Sequence, residues 1–280
     1  MIDNKFYYRD AGRFIHHDVS ADPTAEVFPM HAHDQIEIYC FVSGNCKYLV
    51  EGSEYFLRPG DIMIMRPSET HNLCVMDNTP YERIVIHIRP EIITAFDPEG
   101  VLLKPFFGRP LGQFNQYHSE DFPSDLYMLL MSCFMGESVL GNRLECDTKV
   151  FAVLGEIYKA YVAKMENIPS EQTTVSNDNA VKIIKYINDH LFEQLSLKNI
   201  SEIFYISQSQ LNRIFRKATG SPVWEYITIK RLIAARSQIQ KGIPAGKVCT
   251  ICGFKDYSSF YRLYKERFGI SPKQDCKKDI

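Results

Sequence analysis

Between about residues 6 and 90, apolar and polar positions come in short stretches with no sustained helical period. Stretches 35–42, 46–50, 55–57, 61–65, 72–76 and 81–88 are rich in Val, Ile, Tyr and Phe. Ser43-Gly44-Asn45, Glu51-Gly52, Pro59-Gly60-Asp61 and Thr79-Pro80 cut them apart. Turn residues at such intervals between strand-forming runs predict a small antiparallel barrel or jelly roll. Residues 97–117, with Pro98, Pro105 and Pro110, read as loop. From 122 to 139 and from 145 to 165 the period becomes helical. Leu126, Leu129, Leu130 and Cys133 make one apolar stripe; Val150, Leu154, Ile157, Tyr158 and Tyr161 make another. Such helices pack on the barrel or form a homodimer seam, and the pattern alone leaves both open.

The last hundred residues carry a different pattern, and it occurs twice. Leu211, Arg213, Phe215 and Gly220 recur as Phe260, Arg262, Tyr264 and Gly269, each 49 positions later. A fixed offset of this kind marks a duplicated supersecondary unit. In each copy one helical stripe is apolar and the opposite one polar or basic: Ser209, Arg213, Arg216 and Lys217, then Ser258, Arg262 and Lys265. A short helix precedes each copy, over 197–205 and 248–253, with Ser207 and Asp256 placed to cap the next helix. Helix, tight turn and basic second helix is the helix-turn-helix plan, whose second helix enters the DNA major groove. Gly220 stops the first copy, and Ser221-Pro222 predicts a helix start with Pro in its first turn. One helix over 223–241 would then span roughly 28 Å, near the ~34 Å of one DNA turn. A helix over 180–191 closes this core with Val181, Ile184 and Ile187.

Charge divides the chain at the same place. Residues 178–280 hold 18 Lys and Arg against 9 Asp and Glu, whereas residues 1–177 hold 14 against 25. The overall charge of -2 thus conceals a basic module joined to an acidic one. The polar, aperiodic 168–179 reads as a linker, so three segments are expected: 1–167, 168–179 and 180–280. No basic-then-apolar leader and no long apolar run is present, which predicts a cytoplasmic protein without a membrane partner. Eight scattered cysteines then remain thiols, with Cys249-x-x-Cys252 assigned to core packing rather than to zinc.

The segment LSLKNISEIFYISQSQLNRIFRKATGSPVWEYITIKRLIAAR, followed by VCTICGFKDYSSFYRLYKERFGISPK, resembles the DNA-binding domain of AraC-type transcriptional regulators over residues 178–276. The resemblance implies double-stranded DNA as partner, met by Ser209, Gln210, Arg213, Arg216, Lys217, Tyr257, Ser258, Arg262 and Lys265. It also implies RNA polymerase as a protein partner and a homodimer. Upstream, His31-x-His33-x3-Glu37-x6-Gly44 is similar to the first cupin motif, and Pro67-Ser-Glu-Thr-His71 resembles the second, one residue shorter. This combination looks like the cupin-like sensor found ahead of such DNA-binding domains. On an extended strand 31, 33, 35, 37 and 39 share one face. The expected small-molecule pocket is therefore His31, His33, Glu37, Tyr39 and His71, joined by Arg83 and His87 from the last strand; a sugar or related carbohydrate would suit it. His31, His33, Glu37 and His71 are also the set that could hold a metal. Because Glu69 and Val75 stand where the second motif has Gly and Asn, no metal or other cofactor is expected. The fold is thus α+β: a cupin-like barrel with two helices, then an all-α tandem helix-turn-helix domain. The function is a ligand-responsive transcriptional regulator, with a metal-dependent cupin enzyme carrying an accessory helical domain as the alternative.

Overall fold

The computed structural model describes residues 2–25, 28–122, 126–132, 142–167 and 178–276. The expected linker lies almost wholly outside the described residues. Two antiparallel sheets form the N-terminal part. The larger comprises Ile2–Arg9 (β1), Arg13–Ser20 (β2), Ile36–Ser43 (β3), Ile62–Met65 (β6), Tyr81–Ile88 (β8) and Gln116–Tyr117 (β9), in the order β1-β2-β8-β3-β6-β9. The smaller comprises Cys46–Val50 (β4), Ser53–Phe56 (β5) and His71–Val75 (β7), in the order β5-β4-β7. The β1/β2 hairpin supplies strands that the sequence marked only as part of a general strand region. Residues 97–117 are less irregular than their prolines suggest: they contain a short helix, Lys104–Phe107 (α2), and β9, which pairs with β6.

Alternation along the strands assigns the two faces of the large sheet. Ile36, Ile38, Cys40, Ile62, Ile64, Ile84, Ile86 and Ile88 face outward and are buried beneath helices. Those helices are Pro90–Phe96 (α1), Leu126–Ser132 (α3) and Asn142–Glu166 (α4). Tyr39, Phe41, Met63, Met65, Tyr81 and Val85 face the small sheet and meet Tyr48, Val50, Tyr55 and Leu73. Every second residue of β3 thus belongs to one of two cores, so its inner face can carry polar groups without opening the outer one.

Of the two readings left open for the α4 stripe, packing on the barrel accounts for its central residues. Val150 is 1% exposed and Leu154 and Ile157 are 0% exposed within a single chain, packed on the sheet. Tyr161 donates to the Gly108 carbonyl at 3.1 Å. Val150, Leu154 and Ile157 have no apolar surface left for a second copy, whereas Tyr158 and Tyr161 stay half-exposed.

The C-terminal part is all helical: Asp178–Asp189 (α5), Leu197–Ile203 (α6), Gln208–Thr219 (α7), Val223–Gln240 (α8), Ala245–Ile251 (α9), Tyr257–Phe268 (α10) and Pro272–Asp275 (α11). Ser207 and Asp256 cap α7 and α10, each accepting from a backbone N–H, and Gly220 and Gly269 end them in the left-handed region. Pro222 is the N-cap of α8 rather than its first residue, and Ser221 does not cap it; Ser271-Pro272 shows the expected arrangement instead, at α11. Cys249 and Cys252 are buried with Phe260 and Tyr264, and burial pushes the Cys252 thiol up to about 11. No described helix is long and apolar enough to cross a membrane.

Replacing Leu154 by Ala should cost about 2 to 5 kcal/mol, because the cavity forms where α4 meets a rigid sheet. Chemical denaturation followed by circular dichroism measures this, and sedimentation of the variant should match wild type. Unchanged stability with a shifted sedimentation coefficient would return α4 to a seam role.

Candidate functional site

Glu37 sits on the inner face of β3, 3% exposed, and three imidazoles aim at one of its oxygens. His33 Nε2 lies 2.8 Å from Glu37 Oε2, His87 Nε2 3.0 Å and His71 Nε2 3.1 Å. Each arrives by a different route. His87 is the β8 residue paired in register with Glu37. His71 opens β7 in the opposite sheet. His31 and His33 precede β3, which begins only at Ile36. The expectation that 31–39 form one extended strand therefore fails: His31 pairs with His71 through an isolated bridge, and the chain bends between the two segments. The bend brings His31 and His33 onto Glu37 and leaves Gln35 outside, where it donates to the Gly12 carbonyl.

Of the seven predicted pocket residues, five converge: His31, His33, Glu37, His71 and His87. Tyr39 shares the inner face but bonds the Tyr81 hydroxyl at 2.8 Å within the aromatic core. Arg83 pairs at 3.2 Å with Asp18, which also bonds His16, and lies over the Tyr81 ring. Burial opposes ionisation of Glu37, yet His71 and His87 hold its carboxyl well below the usual range. Burial pushes His31 down to about 3 and His87 to about 4; His71, equally buried, is raised because the Glu37 carboxylate outweighs its desolvation.

The cluster is wired to the helical domain. Met30 and Ala32, either side of His31, pack into the helical core with Ile183, Ile184, Leu211, Phe215 and Tyr226. The Ala32 carbonyl accepts from Arg267 of α10 at 3.0 Å, and Asp34 faces Arg236 of α8 at 3.6 Å. On the other flank, Thr70 precedes His71, and its N–H donates to Glu51 Oε1 at 2.6 Å. The same oxygen receives Lys230 Nζ of α8 at 2.6 Å, and the Tyr226 hydroxyl donates to the other oxygen. Lys230 also donates to the Ser68 carbonyl at 2.6 Å. Glu51 sits at φ 47 and Gly52 at φ 88 in the two-residue β4/β5 turn. A left-handed Glu is uncommon, and its carboxylate anchors keep it there. Gly52 suits its φ of 88, which strains any other residue, and a Cβ there would also displace the tip of Ile184 from α5.

Sequence reasoning missed Glu51, Tyr226, Lys230, Asp34 and Arg236. One signal was available: Val223–Gln240 scatters its apolar residues round the helix instead of confining them to one stripe, and such a helix is covered on more than one side. A lysine in such a helix requires a buried partner.

Breaking the Glu51–Lys230 pair from one side leaves a buried charge. Lys230→Met should destabilise the protein by about 3 to 5 kcal/mol, and the double variant with Glu51→Gln should recover most of that. Urea denaturation of both single variants and the double one checks the cycle; additive losses would mean the pair contributes no coupling.

The helical domain presents the other predicted set. Ser209, Gln210, Arg213, Arg216 and Lys217 of α7 are exposed, as are Tyr257, Ser258, Arg262 and Lys265 of α10. Gln210 has a second task, since its Oε1 accepts from the Ser207 N–H in a capping box. The remaining residues of both faces are turned away from the cores that hold Leu211, Phe215, Phe260 and Tyr264.

Comparison with known proteins agrees with this division. Residues 19–154 match the model of an AraC-like ligand binding domain, and residues 200–278 that of a helix-turn-helix domain, together more than three quarters of the chain. The probable transcriptional regulator LumQ of Photobacterium leiognathi is 24% identical over 251 residues, covering 86% of this chain and 89% of that protein. The arabinose operon regulatory protein of Escherichia coli (strain K12) is 25% identical over 233 residues, covering 80% and 74%. The structure of ToxT from Vibrio cholerae is similar with a TM-score of 0.40 and 14% identity, over 95% of this chain and 98% of that one. With a ligand-binding barrel in front of a tandem helix-turn-helix domain, the chain belongs to the AraC family of transcriptional regulators and is not an enzyme.

Proposed function

We propose that this regulator reads duplex DNA with the outer faces of α7 and α10, and that a small effector at the Glu37 cluster sets how α8 and its two flanking units are held on the barrel. The observation that carries this proposal is the two-way packing of residues 30–33. Met30 and Ala32 are buried in the core beneath α7, while the intervening His31 and the adjacent His33 turn to Glu37. An effector that repositions those histidines must also shift Met30 and Ala32. It regulates only as far as it binds one arrangement more tightly than the other.

A carbohydrate effector in the barrel finds less support. Tyr39, Tyr48, Tyr81 and Met63 fill the space between the sheets, each no more than 4% exposed. An organic molecule of that size is better accommodated in an open cleft of about 930 Å³ between the barrel and the end of α8, lined by Arg13, Arg89, Phe96, Phe151 and Gln240 among others.

On the DNA side, Arg213 and Arg262 are the residues placed to bond guanine, with Ser209, Gln210, Tyr257 and Ser258 beside them; Arg216, Lys217 and Lys265 are assigned to phosphates. Arg213→Ala and Arg262→Ala should each cost about 1 to 3 kcal/mol at the preferred site and relax its sequence. Lys217→Ala should weaken all sequences alike and reduce the salt dependence by about one counterion. Gel-shift titration of wild type and variants on specific and scrambled duplexes measures both effects. Unchanged affinity and preference for Arg213→Ala would remove α7 from base readout.

A further inference from the structure

The hydrogen bonds behind the histidine rings decide what the cluster can hold. His31 Nδ1 lies 3.0 Å from the Pro29 carbonyl, His33 Nδ1 2.8 Å from that of Gln35, and His71 Nδ1 2.9 Å from that of Glu69. A carbonyl oxygen only accepts, so each Nδ1 carries a proton, and each Nε2 points inward, with a bare lone pair whenever its ring is neutral. His71 Nε2 is buried without a hydrogen-bond partner, although Glu37 Oε2 is only 3.1 Å away. The three Nε2 atoms and the carboxylate thus converge, their ligating atoms within 4.8 Å of one another. His87 is the exception, free to donate from Nε2 and so to orient the carboxylate.

Imidazole nitrogens crowded on one buried carboxylate call for positive charge among them, either a ring proton or a metal cation. Ligand atoms bound at right angles about 2.1 Å from one ion sit about 3.0 Å apart, which is the spacing His33 and His71 show to Glu37. Three imidazoles with one carboxylate suit zinc, nickel, cobalt or ferrous iron rather than calcium or magnesium, which prefer all-oxygen shells. The backbone carbonyls behind the rings are the outer partners that fix ligating histidines. The space also suits an ion rather than an organic ligand: the rings of His31 and His71 are 4.2 Å apart and those of His33 and His87 4.6 Å. An approach exists, because His33 borders a small cleft of about 210 Å³ shared with Ile233, Arg236, Arg267 and Phe268 of the helical domain.

We infer that His31, His33, Glu37 and His71 bind one divalent first-row transition-metal ion, entering between the two domains, and that this ion is the effector. The binding site stands on its own geometry; its role as effector rests on the regulatory function proposed above. This departs from the metal-free expectation drawn from the degraded second motif, since Glu69 and Val75 lie outside the ligand set. Glu69 is instead a buried structural residue, paired with Arg109 at 2.7 Å.

The test uses the full chain, stripped with chelator and re-equilibrated by dialysis with Co²⁺, Ni²⁺ or Zn²⁺, with metal content and the visible absorption of the cobalt form as readouts. Wild type should take up one ion per chain. Glu37→Gln and His33→Ala, with unchanged circular dichroism, should bind at least about tenfold more weakly. The paired Cys249→Ala, Cys252→Ala variant should bind like wild type. No uptake by wild type, or uptake that survives both ligand variants, overturns the site. Gel shifts with and without the same ion then test its role. A metal-dependent change in DNA affinity, absent from Glu37→Gln, supports the effector assignment. Stoichiometric binding with identical DNA affinity in both states overturns that assignment and leaves the site itself standing.

Discussion

A carboxylate removed from water must be met by donors or positive charge, and three buried glutamates do this in ways that define the parts of the chain. Glu69, fully buried, is held by a bidentate Arg109, by Asn115 and by the Gly112 and Arg66 N–H groups, and lies below its usual range because those donors outweigh burial. All of its partners lie within the barrel domain, where they fix the loop before β7 and the approach to β9. Glu51 takes one N–H from Thr70 in its own domain, but Lys230 and Tyr226 belong to the other, so its charge is neutralised only when the two domains are docked. Glu37 meets imidazoles alone. Of the three it is the one whose partners can change state, by gaining a ligand or a proton, while the backbone around them stays paired.

The placement of these residues gives α8 its position in the molecule. It separates the two helix-turn-helix units, covers the first core with Val223, Tyr226 and Ile227 and the second with Leu232, Ala235 and Ile239, and lends Lys230 and Arg236 to the barrel. Arg231 caps backbone carbonyls of Leu191, Glu193 and Gly253, tying both units to the helix from within. A helix shared by two cores and an interface responds as one body. In the proposed function, small displacements at segment 30–34 or at Thr70 are passed to α7 and α10 through this helix.

Much of the site was legible because its residues lie close in sequence or on one strand face. His31, His33 and Glu37 fall in a seven-residue window, and His87 alternates correctly on β8. Tyr39 and Arg83 were grouped with them on the same alternation, which fixes the face of a strand but not the distance along it; both end in a neighbouring aromatic and ionic network. The bend before Ile36 was not legible, since it depends on the His31–His71 bridge between segments forty residues apart. The use of Leu154 and Ile157 inside the chain was equally hidden: an apolar stripe specifies that a face is covered, not by what.

The sequence by itself determined the two-domain order, the duplicated helix-turn-helix, its caps at Ser207 and Asp256, and the exposed basic faces. These follow from local rules: periodicity, cap chemistry and charge act over one or two turns of chain. Only the tertiary structure decided that the domains are joined through buried polar groups, that Glu51 is held in a left-handed turn by its partners, and that three imidazoles meet one carboxylate oxygen. Those outcomes depend on desolvation, and whether a charge is desolvated is set by chain segments that pack on it from far away in sequence.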